Sequence, residues 1–154
     1  MVLNNFMKIH HLRLGFTLPE ILLSITLLTV IGAMIIPAYR LFMVRNDLDI
    51  ATITLAQNLR RAQSLSQASD GDMTWGVRVG VGGIIVYKGA SYVLRDSLYD
   101  ENTSIPTSIS PTGLNEIVFS KVIGLPNATG TFTLTSQGGE ARTIIINEKG
   151  MVDY

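Results

Sequence analysis

Residues 21–39 form an unbroken stretch of 19 uncharged positions, rich in Ile, Leu, Val, Thr and Ala, with the single carboxylate Glu20 at its head and Arg40 at its end. At about 1.5 Å per residue, a helix of that length is roughly long enough to cross a bilayer core. A core helix of a soluble protein is the competing reading, but so long a run without charge leaves no face for water. Glu20 is costly in such a place, about 2.5–3.5 kcal/mol at a bilayer centre on insertion scales and less near an interface, so function is to be sought around it. The residues ahead of it hold Lys8, Arg13, His10 and His11 and no acid, as expected of an exported or membrane-inserted chain. Lys8 and Arg13 favour a cytoplasmic N-terminus, although Arg40 and Arg45 follow on the far side. Gly32 and Pro37 lie inside the run, and Pro37 removes one helix hydrogen bond, so a kink or local unwinding is expected there.

Beyond Val44 the pattern becomes amphipathic. Leu48, Ala51, Leu55, Leu59, Ala62 and Leu65 recur at spacings of three and four, with Asp47, Asp49, Asn58, Arg61, Gln63 and Gln67 between them. One continuous helix over residues 16–68 is predicted, its first half in lipid and its second half covering something soluble. Ser69-Asp70-Gly71-Asp72 ends it, Gly71 supplying the left-handed stop. The remainder reads as antiparallel β structure. Trp75, Val77 and Val79 alternate with Gly76 and Arg78, Gly80-Val81-Gly82-Gly83 turns, and residues 84–87 return. Residues 91–94 are a further short strand candidate, and residues 96–113, with Pro106 and Pro111, are expected to be a loop crossing. Strands are then predicted at Ile117 and Phe119, at Phe132 and Leu134, and over 143–146, with an edge strand at Met151-Val152. A sheet of this size would leave one apolar face bare, and the amphipathic half-helix is its natural cover.

Composition narrows the chemistry. With 12 basic and 12 acidic residues the chain is formally neutral, and from Asp47 onward eight bases face eleven acids, which disfavours a nucleic-acid partner. There is no cysteine, and both histidines precede the apolar run, so thiolate metal sites, thiol nucleophiles and most acid–base catalysis lose their usual residues. No catalytic, metal or cofactor site is expected. Asp70 and Asp72 cannot supply the six to eight oxygens calcium takes, and are read as part of a helix stop. Asp96, Asp100 and Glu101 are read as a solvated loop, and Trp75 as a core or hairpin anchor. Asn102-Thr103-Ser104 and Asn127-Ala128-Thr129 match the N-glycosylation acceptor pattern, a short signal.

The motif Gly15-Phe16-Thr17-Leu18-Pro19-Glu20, with a basic leader before it, the apolar run after it and Pro37 at the twenty-second mature position, resembles the class III signal of type IV pilins and pseudopilins. Leu55-Ala56-Gln57-Asn58-Leu59-Arg60-Arg61-Ala62-Gln63, Trp75-Gly76-Val77, Ile117-Val118-Phe119 and Ile144-Ile145-Ile146 before Gly150 are similar to the H-type pseudopilin and FimT-type minor pilin group. The resemblance implies an α+β pilin-like fold: a cleaved leader over 1–15, a transmembrane and assembly segment over 16–44, an amphipathic helical half over 45–70 and a β-rich globular part over 71–154. It implies that a prepilin peptidase cuts between Gly15 and Phe16 and methylates the new amine of Phe16. It also implies a structural subunit of a secretion or pilus filament, without enzymatic activity or cofactor. The partners implied are other pilin-like subunits, an inner-membrane assembly platform and membrane lipid, with the C-terminal part exported. Glu20 would pair with the Phe16 amine of a neighbouring subunit and set register, a gain on the order of 4 kcal/mol at an effective dielectric near 20, before desolvation. Gly15, lacking a Cβ, lets a peptidase approach the backbone, and the helix would unwind between Gly32 and Pro37 inside a filament. DNA-binding members of the group carry arginines after the final glycine, where this chain has Met151-Val152-Asp153. The competing class is a monomeric membrane-anchored β-domain binding module, uncleaved and independent of Glu20.

Overall fold

The computed structural model describes residues 15–154; residues 1–14, including Lys8, His10, His11 and Arg13, lie outside the described residues. One helix, α1 (Leu18–Gln67), is followed by a short 3-10 turn at Asp70–Asp72 and eight strands. These are β1 (Trp75–Gly80), β2 (Gly83–Lys88), β3 (Asp96–Ser104), β4 (Ile109–Gly113), β5 (Glu116–Phe119), β6 (Gly130–Ser136), β7 (Ala141–Ile146) and β8 (Val152–Asp153). The chain divides into two units, residues 1–38 and 39–154.

In the first unit α1 runs through Gly32, and the same helix continues past Pro37 into the second. The span's hydroxyls are satisfied by their own backbone. Ser24 donates to the Glu20 carbonyl at 2.8 Å, Thr26 to Leu23 at 2.8 Å and Thr29 to Thr26 at 2.8 Å. With those groups paired, the segment presents an apolar exterior, and it is long and apolar enough to cross a membrane.

In the second unit the strands form two antiparallel four-stranded sheets, ordered β3-β2-β1-β5 and β4-β6-β7-β8. Leu48, Ala51, Leu55, Leu59 and Ala62 of α1 are fully buried with Val77, Ile84, Val86, Ile117 and Phe119 of the first sheet and Phe132, Leu134, Ile144 and Ile146 of the second. The predicted amphipathic face is therefore the core face, with Leu65 partly buried at its end. Asn58, expected between the apolar positions, is buried too, its amide donating to the Thr54 carbonyl at 3.0 Å.

Four local expectations are corrected. The segment 96–113 is not a loop crossing: it supplies β3 and β4, polar edge strands whose backbone pairing, rather than an apolar pattern, makes them strands. Residues 91–94 form a turn instead of a strand, with the Leu94 amide donating to the Ser91 carbonyl at 3.2 Å. The helix stops at Ser69, itself left-handed at φ 53°, before Gly71 follows at φ 63°. Asp100 and Glu101 are not a solvated loop: both lie in β3 and are ion-paired, with Arg95 and Arg61.

The β1–β2 hairpin places Gly76 opposite Tyr87, and the ring lies across the glycine. A Cβ at Gly76 would stand 2.5 Å from the Tyr87 ring and 2.9 Å from the Ile117 carbonyl oxygen. Gly76→Ala is therefore expected to cost about 1–3 kcal/mol by overpacking. The measurement is denaturant unfolding of the full chain in detergent, followed by the fluorescence of Trp75, the single tryptophan and 3% exposed; an unchanged midpoint would refute the packing argument.

Candidate assembly surfaces

Gly15, Phe16 and Thr17 precede the helix as irregular, exposed backbone, and the Phe16 side chain is 78% exposed. Thr17 occupies the N-cap position and Glu20 the third helical position. The Glu20 carboxylate reaches back to the Thr17 amide at 3.4 Å, in the manner of a capping box, while the amides of Glu20 and Ile21 donate to the Thr17 carbonyl. Glu20 thus has a local partner at the positive end of its own helix, which lowers the cost of a carboxylate there. The sequence reading missed this capping contact, although Thr17-Leu18-Pro19-Glu20 carries the spacing that announces it.

The part of α1 within the second unit has a second apolar face, opposite the core. Tyr39, Phe42, Met43, Ile50 and Ile53 follow one another at helical spacing with Asn46 among them, and all five are exposed. Charged side chains flank this stripe and hold the β domain. Arg45 donates to Glu140 at 2.8 Å, Arg142 to Asp49 at 2.9 Å, and Arg61 to both oxygens of Glu101 at 2.5 and 2.6 Å. The Arg61 guanidinium holds the Glu101 carboxyl below its ordinary range, burial opposing it. As surface pairs these contribute roughly 0–1 kcal/mol each, and they fix β3 and β7 against the helix.

A polar cluster braces the outer face of the first sheet. Glu116 accepts from the Tyr87 hydroxyl and from the Tyr92 amide, each at 2.7 Å. Burial, then the Glu116 contact, raises the Tyr87 hydroxyl far above its ordinary range, so it stays protonated and donating. The Tyr92 ring lies between the guanidinium groups of Arg78 and Arg95, 4.5 and 3.8 Å from its centre. Arg95 in turn donates to Asp100 at 2.9 Å and to the Tyr92 carbonyl at 2.8 Å. These contacts tie down the turn that carries the exposed Val93 and Leu94. Each group here contacts another, so the cluster braces the sheet face.

At the end of α1, buried Ser66 is a junction. Its hydroxyl accepts the Trp75 amide at 2.9 Å and donates to the Phe119 carbonyl at 3.0 Å, while its own carbonyl accepts the Val122 amide at 3.0 Å. Asp72 pairs with Lys121 and the Asp70 carbonyl accepts the Trp75 indole N–H at 3.1 Å. The Asp70–Asp72 turn thus closes the helix onto the sheet; among the described residues no acidic or histidine cluster is arranged to hold a metal. Asn127 accepts the Val118 amide through its side chain at 2.9 Å and donates its own amide to the Val118 carbonyl, capping the free edge of β5.

Val122 is a β-branched residue at φ 70°, in a three-residue turn closed by the Ile123 amide donating to the Lys121 carbonyl at 2.8 Å. Such a conformation costs about 1–3 kcal/mol and persists only where the surroundings over-determine it. Here they do. Gln63 donates to the Gly124 carbonyl at 3.0 Å, Gly124 to Ser120 at 2.9 Å, and Leu125 to the Ser120 hydroxyl at 2.9 Å. The result is a rigid ledge displaying Val122 and Ile123, 64% and 65% exposed, beside a recess of about 400 Å³ lined by Ala90, Val118, Leu125 and Pro126. No residue type in this stretch announces a valine at positive φ, so sequence reasoning had no signal for it.

In fold the chain is similar to the minor pseudopilin EpsH from the type 2 secretion system of Vibrio cholerae, with a TM-score of 0.54 over 70% of this chain and 94% of that one, at 14% identity. No protein-family model and no curated protein sequence matches it. The protein has a pseudopilin-like α+β fold, a long N-terminal helix on antiparallel sheets.

The strained turn makes a specific prediction. Val122→Gly relieves a left-handed penalty of about 1–2 kcal/mol against a glycine entropy cost of about 0.5–1 kcal/mol, so it should leave stability unchanged or raised. Val81→Gly, at an exposed position without positive φ, should lower it. Paired thermal melts of the two variants check the order, and a clear loss for Val122→Gly alone would remove the strain.

Proposed function

We propose that this chain is a structural minor pilin or pseudopilin subunit of a type II secretion or type IV pilus-type filament, processed by a prepilin peptidase and assembled through its N-terminal helix. The observation that carries the reading is the pairing of a pseudopilin-like fold with an apolar helix that, among the described residues, is exposed on every side over residues 18–36. An apolar helix with no internal partner requires lipid or other helices. On this reading the protein waits in the inner membrane with its N-terminus cytoplasmic and its β domain outside, and later exchanges lipid for neighbouring subunits on an assembly platform.

The peptidase would cut between Gly15 and Phe16 and methylate the Phe16 amine. Support comes from the exposed, non-helical backbone at residues 15–17, since a protease must receive an extended chain. Glu20 then exchanges part of its local capping role for the Phe16 amine of a neighbour, which sets axial register. Gly32 and Pro37 are the place where the helix would open within the filament, because the proline already lacks one bond. The same reading assigns the protein no catalytic chemistry and no cofactor.

Mass spectrometry of the full chain co-expressed with a prepilin peptidase tests the processing. A mature chain beginning at N-methylated Phe16 is expected, and Gly15→Trp should leave the leader attached; an intact Met1 in the wild type would instead identify a permanently anchored binding module. Glu20→Ala should leave membrane insertion unchanged and reduce incorporation into filaments about tenfold or more, as loss of even 1.4 kcal/mol implies. Incorporation equal to wild type would end the register role.

A further inference from the structure

The outer face of the first sheet carries an open dish. Val77, Val79, Ile84 and Val86 are buried in the core, so the residues alternating with them face outward. Strand pairing sets those outward positions in rows: Glu116, Arg78, Ile85 and Asn102 in one, Gly80, Gly83 and Ser104 in the next. Two glycines thus stand side by side, and the surface over them opens into a cavity of about 370 Å³, a size typical of small-molecule sites. Neither glycine is required by the backbone or by packing. Gly82 supplies the positive φ of the hairpin turn, and neither Gly80 nor Gly83 has one. A Cβ at Gly80 would meet nothing nearer than 4.0 Å, and one at Gly83 nothing nearer than 3.6 Å, both ordinary contact distances. Glycine inside a strand costs stability relative to alanine. What the pair supplies in return is a bare floor.

The walls of the dish are polar: Arg78, Tyr92, Asn102 and Ser104. Arg78 is the loosest member of the cluster that braces this face. Its one polar contact among the described residues is Glu116 at 3.5 Å, and 38% of its side chain is exposed. Glu116 is meanwhile met by the shorter bonds from the Tyr87 hydroxyl and the Tyr92 amide. The guanidinium therefore keeps most of its N–H donors open, while the Tyr92 ring, 4.5 Å from it, supports it. A planar fork of donors matches a carboxylate. The exposed Asn102 amide and Ser104 hydroxyl match the hydroxyl groups of a sugar, and a floor without side chains admits its flat ring. We propose that this dish binds a carboxylated saccharide, a hexuronate unit, with its carboxylate on Arg78, its hydroxyls on Asn102 and Ser104, and its ring over Gly80 and Gly83. Such binding is independent of processing and filament assembly, and it gives the β domain a ligand of its own.

Saturation-transfer NMR on the full chain in detergent tests this, with glucuronate and galacturonate as probes and glucose, galactose and acetate as controls. At least one uronate is expected to bind, and each control to bind at least tenfold more weakly. Arg78→Gln should weaken the uronate about tenfold or more and Asn102→Ala severalfold, as loss of a charge-assisted and of a neutral hydrogen bond implies. Gly83→Val should abolish binding by filling the floor. All three substitutions lie on the outer face, so the fold should survive, and the Trp75 melt verifies it. Failure of both uronates to bind, equal binding by a neutral sugar or by acetate, or uronate binding that survives any of the three substitutions in a folded variant would each overturn the assignment. No peptidase or partner is present, so a failure of processing leaves this result intact, and a failure of binding leaves the processing result intact.

Discussion

Burial of one helical stripe organises the globular part of this protein. Leu48, Ala51, Leu55, Leu59 and Ala62 are removed from water by two sheets at once. At about 25 cal/mol per Å² of apolar surface, such burial is the dominant favourable term available to a domain of this size. Both four-stranded sheets share one core with the helix, so helix and sheets depend on each other. The ion pairs Arg45–Glu140, Asp49–Arg142 and Arg61–Glu101 add little energy and mainly fix where the sheets sit on the stripe.

The same helix is used again on its other faces. Over residues 18–36 its side chains are exposed among the described residues, and past Ala38 its back stripe is exposed while its front stripe is core. The helix thus carries both a stretch long and apolar enough to cross a membrane and the stripe that holds the β domain. Backbone satisfaction makes this workable: hydroxyls at Ser24, Thr26 and Thr29 bond back into the helix, and Glu20 is partly met by the helix N-terminus. A segment arranged in this way can change its surroundings without exposing new polar groups.

The polar features of the β domain have a different character. Glu116, Tyr87, Tyr92, Arg78 and Arg95 form a closed set of contacts on the outer face of one sheet, and Ser66 ties the helix end to two strands. These groups shape surfaces. Their product is display: Val93 and Leu94 on one braced turn, Val122 and Ile123 on another.

Much of this was legible in the residue order. Spacing of Leu48, Ala51, Leu55, Leu59 and Ala62 predicts the core face, because helical periodicity maps directly onto burial. The alternation around Val77 and the glycines at 80–83 predict the first hairpin, and the run 21–39 predicts a helix fit for a membrane. These are local rules, in which each residue's neighbours along the chain decide its state. What escaped them depends on partners distant in sequence. β3 and β4 have no apolar alternation and become strands only because β2 and β6 offer them backbone partners. Arg61 meets Glu101 across 40 residues, and Tyr92 finds Glu116 only after the sheet assembles. Val122, left-handed at φ 70°, is anchored by its amide on the Ser66 carbonyl at the distant helix end. By itself the sequence determined which helix and which hairpin exist, since local sterics and hydrophobic period suffice for those. Tertiary structure alone decided which polar strands join the sheets and which apolar side chains are left facing water, since both depend on what the packed core excludes.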